Sequence, residues 1–414
     1  MISRSARLQS VRILALLVAA IVLSACGGLP VSEPSGPAAA KIDASRLKPI
    51  VEAELRGEMP ASVQRQLDDV PPLGVGQAVP GYPQGLPPSK ADMFHFTPED
   101  IAKLKEGHYT AAIAMHLMND AWPQLQVAGI TDELNRFGIK VVATTDANFN
   151  AATQINQVGT LVARRPNLMF SIPVNPTTEG PAFRQVTASG IKLVLLDGVP
   201  QGLVPGKDFV TVVSANNRGN AQFATSQLVK ALGGRGEVGH LGIGYYFFSA
   251  SIRDERAMSV LQGQPGMKID RGSFSEPTKA AYNTASGMLL AHPDMQATWA
   301  AWDTVAQQVV AAERAQNRKI YIATVDLGAI SGLLVAQGYI HAIGAQQPYN
   351  QGVTEADAAA YALLGKQVPP YLELPTVPVT IETLLPAYKI VLHTDPPPAL
   401  VTALKRTAGI EPQV

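Results

Sequence analysis

The sequence predicts an α/β fold made of two lobes, each a doubly wound parallel sheet. Two observations predict it. From Tyr109 onward, short apolar runs of strand length alternate with longer segments of helical character, and that alternation starts afresh once, near residue 216. Strands joined through helices must run parallel, and a parallel sheet is covered by helices on both faces. A third observation bounds the class. Hydrophobic residues make up 46% and charged residues 16% of 414, a globular composition with ample chain for two cores.

The elements follow in order. Apolar runs at 111–115 and 140–144 predict strands around a helix over 124–137. Runs at 168–172, 193–196 and 210–213 continue the series, with helices at 151–164 and 183–189. After the restart, 216–232 predicts a helix and 238–242 a strand, followed by helices at 253–261 and 278–291. Strands at 298–301, 320–324 and 340–345 complete the second set. Beyond Pro369, the prolines at 375, 378, 386 and 396–398 cut the chain into short pieces expected to wrap a lobe.

The first residues read as an address. Arg4, Arg7 and Arg12 precede an apolar run over 13–23 that suits an export signal better than a membrane span. The run ends in Leu23-Ser24-Ala25-Cys26-Gly27, which resembles a bacterial lipobox. Cys26 is the chain's single cysteine, so no disulfide framework exists, and acylation is the reading that uses it. This predicts a signal peptide over 1–25 and a periplasmic protein held by lipid to the inner or outer membrane. Residues 26–105 are rich in Pro and Gly in their first part and read as a tether. Treated as a flexible chain, about 60 such residues reach roughly 40–45 Å.

In open α/β sheets, ligands bind beyond the carboxyl ends of the strands. The polar and aromatic residues that fall there are Asn119, Asp120 and Trp122, then Asp146, Asp197, Arg256, Trp302 with Asp303, Asp326 and Gln346. Carboxylates and amides exchange hydrogen bonds with hydroxyls, arginine offers a planar fork of donors, and indole covers C–H surface. That is the chemistry of a polyhydroxylated ligand. A lone Asp after a strand is more often a cap, and Asp303, at the start of a helical run, reads most like one. Trp299 reads as core, and His116 as core or rim. The aromatic run 245–248 reads as a rim that meets the other lobe.

Other classes fit less well. Net charge is zero, which argues against nucleic acid. Gly234, Gly236 and Gly239 have dinucleotide-fingerprint spacing but precede their strand, so no cofactor is expected. The seven histidines show no metal-binding pairing, and no nucleophile elbow is present. The chain is therefore not expected to be an enzyme.

Over about residues 109–364 the chain resembles the class I, ribose-type periplasmic sugar-binding proteins of ABC importers. The resemblance rests on Asn119-Asp120-Ala121-Trp122 with Gly129, the segment DANFNAATQINQVGTL from Asp146, Asn175-Pro176, Leu196-Asp197, Arg253-Asp254-Glu255-Arg256, Ala291-His292-Pro293-Asp294, Trp302-Asp303, Val325-Asp326 and Gln346-Gln347-Pro348. Arg256 aligns best with the family's arginine. Two positions depart from the pattern: Gly198 stands where an Arg often follows the gripping Asp, and Trp302 where an Asn often stands. The departures favour a less polar, larger or linear polyol-like ligand over a pentose such as ribose.

The resemblance implies a type I periplasmic-binding-protein fold: a first lobe of 106–214 plus 347–368 and a second of 215–346 plus 369–414, joined by a three-strand hinge. The crossings are expected near 214–216, near 346–347 and just after Leu364. It further implies a monomer that captures a sugar or polyol and hands it to an ABC permease. A ligand sensor for a membrane receptor, a carrier of a less polar metabolite and a repressor's effector domain are alternatives. The export signal argues against the last.

Overall fold

The computed structural model describes residues 42–73 and 86–411. The signal peptide, Cys26 and the start of the tether lie outside the described residues. Two sheets form the frame. The first is built from β1 (Ser89–Lys90), β2 (Thr110–Met115), β3 (Lys140–Asp146), β4 (Leu168–Ser171), β5 (Lys192–Leu196), β6 (Thr211–Ala215) and β12 (Tyr371–Leu374), in the order β1-β12-β6-β5-β4-β2-β3. The second holds β7 (Arg235–Ile243), β8 (Gly266–Phe274), β9 (Met295–Ala300), β10 (Tyr321–Val325), β11 (Ala342–Ala345) and β13 (Val377–Val379), in the order β13-β11-β10-β9-β7-β8. Neighbouring strands are parallel except β11 and β13.

Both faces of each sheet are buried, and the strand period of two divides the side chains between them. On β2, Ala111, Ile113 and Met115 enter one core while Ala112 and Ala114 enter another. The first core is closed by α3 (Pro98–Glu106), α4 (Ala121–Arg136) and α12 (Pro348–Leu363), the second by α5 (Ala151–Ala163) and α6 (Gly180–Ala188). Helices α4 and α12 approach backbone to backbone. A Cβ on Gly129 would meet the Tyr349 carbonyl at 2.1 Å, and one on Gly352 would meet the Gln126 carbonyl at 2.3 Å. Only glycine permits that approach at either position.

In the second lobe, α7 (Asn217–Ala231) and α8 (Phe248–Gln262) cover the face that holds Trp299 and Ala323. The opposite face is covered by α9 (Lys279–Ala291), α10 (Asp303–Ala315), α11 (Ala329–Ala336), α13 (Leu384–Leu392) and α14 (Pro398–Thr407). Trp299 is fully buried, as its apolar setting predicts, and its indole N–H finds Asp254 at 3.2 Å.

Two expectations need correction, and one strand is added. Segment 371–374 is an interior strand of the first sheet, hydrogen-bonded between β1 and β6, so the third crossing is Pro375–Thr376 and not the point after Leu364. The flanking prolines hid a short strand whose Tyr371 and Leu372 are buried. Strand β8 has no apolar run to betray it, because it is an edge strand carrying Lys268, Asp270 and Arg271.

The tether, finally, is largely folded. Helix α1 (Ala44–Leu55) buries Leu47, Ile50 and Val51, with Leu47 and Val51 in the second lobe's core, and α2 (Ala61–Asp68) buries Val63. Arg46 and Gln66 both reach Glu382, at 2.9 and 2.7 Å. The carbonyls of Pro71 and Pro72 accept from the Asn216 amide at the first crossing, and Leu86 and β1 join the first lobe. Composition alone suggested a spacer, yet each short segment carries enough apolar side chains to dock. A buried Leu or Val contributes ~1.5–3 kcal/mol.

Replacing Leu47 and Val51 together with Ala is expected to free α1. Limited proteolysis would then cut within 42–60 while the lobes remain folded and bind ligand normally. Continued protection of that segment would mean that other contacts hold it.

Candidate functional site

The carboxyl ends of the two sheets face each other, and the chain links them at Asn216, Gln346–Gln347 and Pro375–Thr376. One run of hydrogen bonds crosses from lobe to lobe there. Ser214, on the last turn of β6, donates to Asp197 at 3.1 Å. Asn217 donates to Ser214 at 3.3 Å and accepts from Arg253 Nε at 2.8 Å. Arg253 Nη1 donates to Asp326 at 3.2 Å, and Asp326 accepts from Gln346 Nε2 at 2.5 Å. From α12, Gln351 returns to Asp197 at 3.3 Å. Asp197 and Asp326 each follow a strand and adopt left-handed backbone, with φ of 53° and 71°. Such conformations are strained for a residue with a side chain and gather at functional sites.

Electrostatics separates these carboxylates. Burial raises Asp197, and the nearby Arg253 charge draws it back down. Asp120, at the mouth of the first lobe, is open to water on one side. It is nevertheless raised to about 6, first by the protein around it and then by the charge of Asp326. Asp303 is raised to about 7 by burial, then by Asp326, with Asp120 adding to it, against a 3.1 Å hydrogen bond from Ser331. Glu355, fully buried below Asp197, is raised well above the carboxylate range by burial and by the Asp197 charge.

An aromatic wall stands beside this network. His116 is buried and lowered to about 3 by burial, so its imidazole is neutral. Phe247, from the second lobe, stacks on it at 5.7 Å and 10°, while Phe149 and Trp122 meet it edge-on at 5.0 and 5.9 Å. Phe248 is buried in the first lobe's core, and its ring lies 3.6 Å from where a Cβ on Gly198 would sit. The ring thus packs against Gly198, beside Asp197, at ordinary contact distance. Buried His116 Nδ1, Trp122 Nε1 and Gln346 Oε1 have no hydrogen-bond partner among the described residues.

The expected residues divide accordingly. Asp120, Asp197, Trp122, Asp303, Asp326 and Gln346 come together. Asn119 is exposed beside Asp120, which caps α4 through the Trp122 N–H at 3.1 Å. Asp146 closes its own turn by accepting from Asn148 N at 2.7 Å. Trp302 leans into the second core, edge-on to Phe274 at 5.2 Å. Asp303 is not a cap: Trp302 holds that position, and the carboxylate points to Ser331 instead.

Arg256 is displaced by Arg253. Arg256 binds Gln222 at 2.8 Å, whereas Arg253 is buried and joins the network. Helical spacing carried the signal, because Ser249, Ile252, Arg253 and Ala257 form one buried stripe of α8. Ser214, Asn217 and Gln351 were also missed. All three are polar residues within a few positions of a crossing.

One further polar cluster lies at the other end of the second sheet. Glu237, Asp270 and His292 approach one another there, with Lys268 bonded to Glu237 at 2.9 Å. No helix among the described residues is long and apolar enough to cross a membrane.

Two lobes of this topology, hinged over a polar cleft, define a type I periplasmic binding protein, and the chain belongs to the periplasmic binding protein domain family, which matches residues 111–367. Among its relatives are the ribose import binding protein of Bacillus subtilis, 23% identical over 67% of this chain and 88% of that protein, and the D-apiose import binding protein of Paraburkholderia graminis, 29% identical over 44% of this chain. The match to the latter spans just over half of that protein, 56%. The crystal structure of an ABC sugar transporter subunit from Rhodobacter sphaeroides superposes with a TM-score of 0.59 at 26% identity, covering 66% of this chain and 98% of that one.

Two outcomes test the site. Arg253→Met removes the donors to Asn217 Oδ1 and Asp326 Oδ2 and leaves Asp326 only its bond from Gln346. It is expected to cost about 2–3 kcal/mol in denaturant unfolding, while Arg256→Met stays within about 0.5 kcal/mol. Equal effects would mean that the network is not special.

Asp303→Asn keeps an acceptor for Ser331 and removes a charge that the fold disfavours. The wild-type carboxyl holds its proton more tightly folded than unfolded, so its cost is absent below about pH 4 and grows as pH rises through about 7. The variant should therefore melt about 2–4 °C higher at pH 8 and match the wild type near pH 4. A gain that is the same at both pH values would point to packing instead of charge.

Proposed function

We propose that this chain captures a sugar or polyol between its lobes and presents the closed form to the permease of an ABC importer. The observation that carries this is the hydrogen-bonded run from Asp197 to Gln346, which joins both lobes across the hinge and lines the cleft with acceptors and one guanidinium. Ligand hydroxyls can donate to Asp197 and Asp326 and accept from Trp122 Nε1. Contacts from both lobes then lower the energy of the closed form alone. The named relatives import ribose and D-apiose, which supports a carbohydrate-sized ligand. The chain acts as a binder, not a catalyst. Lipid on Cys26 would hold it at an extracytoplasmic membrane face.

A second reading, a carrier of a less polar metabolite, draws on the aromatic wall of His116, Phe149 and Phe247 and on Phe248 against Gly198.

Thermal-shift titration of the mature chain separates the two. A sugar or polyol at a hundredfold excess over Kd adds about 2.7 kcal/mol of apparent stability. That shift, lost in Asp197→Ala, is the expected result. A shift only with apolar compounds, insensitive to Asp197, would favour the carrier.

A further inference from the structure

Beneath the cleft, hydrogen bonds select one oxygen of Asp197. Ser214 Oγ, the Ala215 N–H and Gln351 Nε2 all reach Oδ1, at 3.1, 3.3 and 3.3 Å. Oδ2 carries none of these bonds. The carboxylate is thereby turned so that the protein holds one oxygen and leaves the other for a ligand.

The orientation of Gln351 is fixed in the same way. An amide nitrogen has two donors. Those of Gln351 are directed at Asp197 Oδ1 and at the Val213 carbonyl, 3.1 Å away. Both partners only accept, so the reverse orientation of the amide is excluded. This leaves Gln351 Oε1 buried, and no donor among the described residues reaches it.

Glu355 has the complementary need. It stands four residues on, which in a helix is the same face one turn away. It is fully buried, and neither carboxyl oxygen has a hydrogen-bond partner among the described residues. A buried carboxylate without donors is costly, and both donors of Gln351 are already engaged. As an acid, however, Glu355 has one O–H donor, and an acceptor without a donor lies one turn back. A single proton thus satisfies both groups. Burial and the Asp197 charge act on Glu355 in the same direction.

We propose that Glu355 is held as the neutral acid and donates a hydrogen bond to Gln351 Oε1, and that the pair is a positioning device that reserves Asp197 Oδ2 for ligand hydroxyls. Donation then runs one way, from Glu355 through Gln351 to Asp197, and Gln351 cannot rotate without losing bonds at both ends. All three residues belong to the first lobe, so the carboxylate is oriented before the lobes close, which lowers the cost of binding. The role toward ligand rests on the sugar or polyol reading and deepens it; the proton on Glu355 stands apart from that reading.

Infrared difference spectroscopy of the mature chain at neutral pH, wild type against Glu355→Gln, tests the proton. A protonated-carboxyl C=O band carried by the wild type is the expected result; carboxylate bands in its place would overturn the proposal. Calorimetric titration with ribose, D-apiose and myo-inositol tests the positioning. For one that binds, Glu355→Leu, which fills the space without a donor, is expected to weaken binding at least about fivefold. Glu355→Gln, which restores a donor at the same place, should recover most of that loss. Circular dichroism would verify that both variants fold. Equal weakening in both variants, or none in Glu355→Leu, would remove the positioning role and leave the sugar reading standing. No binding of any of the three by the wild type would remove the sugar reading and the role toward ligand together, and the infrared band would still decide the proton.

Discussion

The hydrogen-bonded run Asp197–Ser214–Asn217–Arg253–Asp326–Gln346 is the constraint around which the cleft is organised. Ser214 and Asn217 flank the first crossing and Gln346 sits in the second, so the run spans the hinge that must bend. Gln347 adds a bond to the Pro375 carbonyl, tying the second crossing to the third. An interaction that crosses a hinge reports on the angle between the lobes. Polar groups placed there are satisfied in one arrangement and exposed to water in another, which makes closure a choice between two discrete states.

The N-terminal segment bears on the same motion. Its helices α1 and α2 belong to the second lobe, its carbonyls at Pro71 and Pro72 hold Asn216, and β1 and α3 belong to the first lobe. The chain therefore connects the lobes once more beside the three hinge segments. The glycine-mediated contact between α4 and α12 works locally. It fixes α12, and so Gln351 and Glu355, beneath Asp197. The Asp197 charge and burial both raise Glu355, because two buried anions repel each other.

Most strands were legible because parallel strands buried on both faces read as apolar runs. The elements that escaped lacked that signal: β8 at an edge, carrying charge, and β12, four residues between prolines. The site was legible in part for a related reason. Asp120, Asp197, Asp303, Asp326 and Gln346 follow strands at the end where ligands bind, so position along the chain marks them. Arg253 lies inside a helix, where one residue's difference from Arg256 means about 100° of rotation. Family likeness aligned Arg256, whereas the buried stripe of α8 puts Arg253 into the hydrogen-bonded run.

What the sequence by itself determined was the order of strands and helices, the two-lobed parallel architecture and the identity of most polar residues at the strand ends. These follow from local periodicity and from the rule that parallel sheets open at their carboxyl ends. The tertiary structure alone decided which arginine joins the hydrogen-bonded run, that 42–73 docks instead of swinging free, and that Phe248 packs against Gly198. Each of these depends on contact between residues far apart in the chain, and no local pattern encodes such contacts.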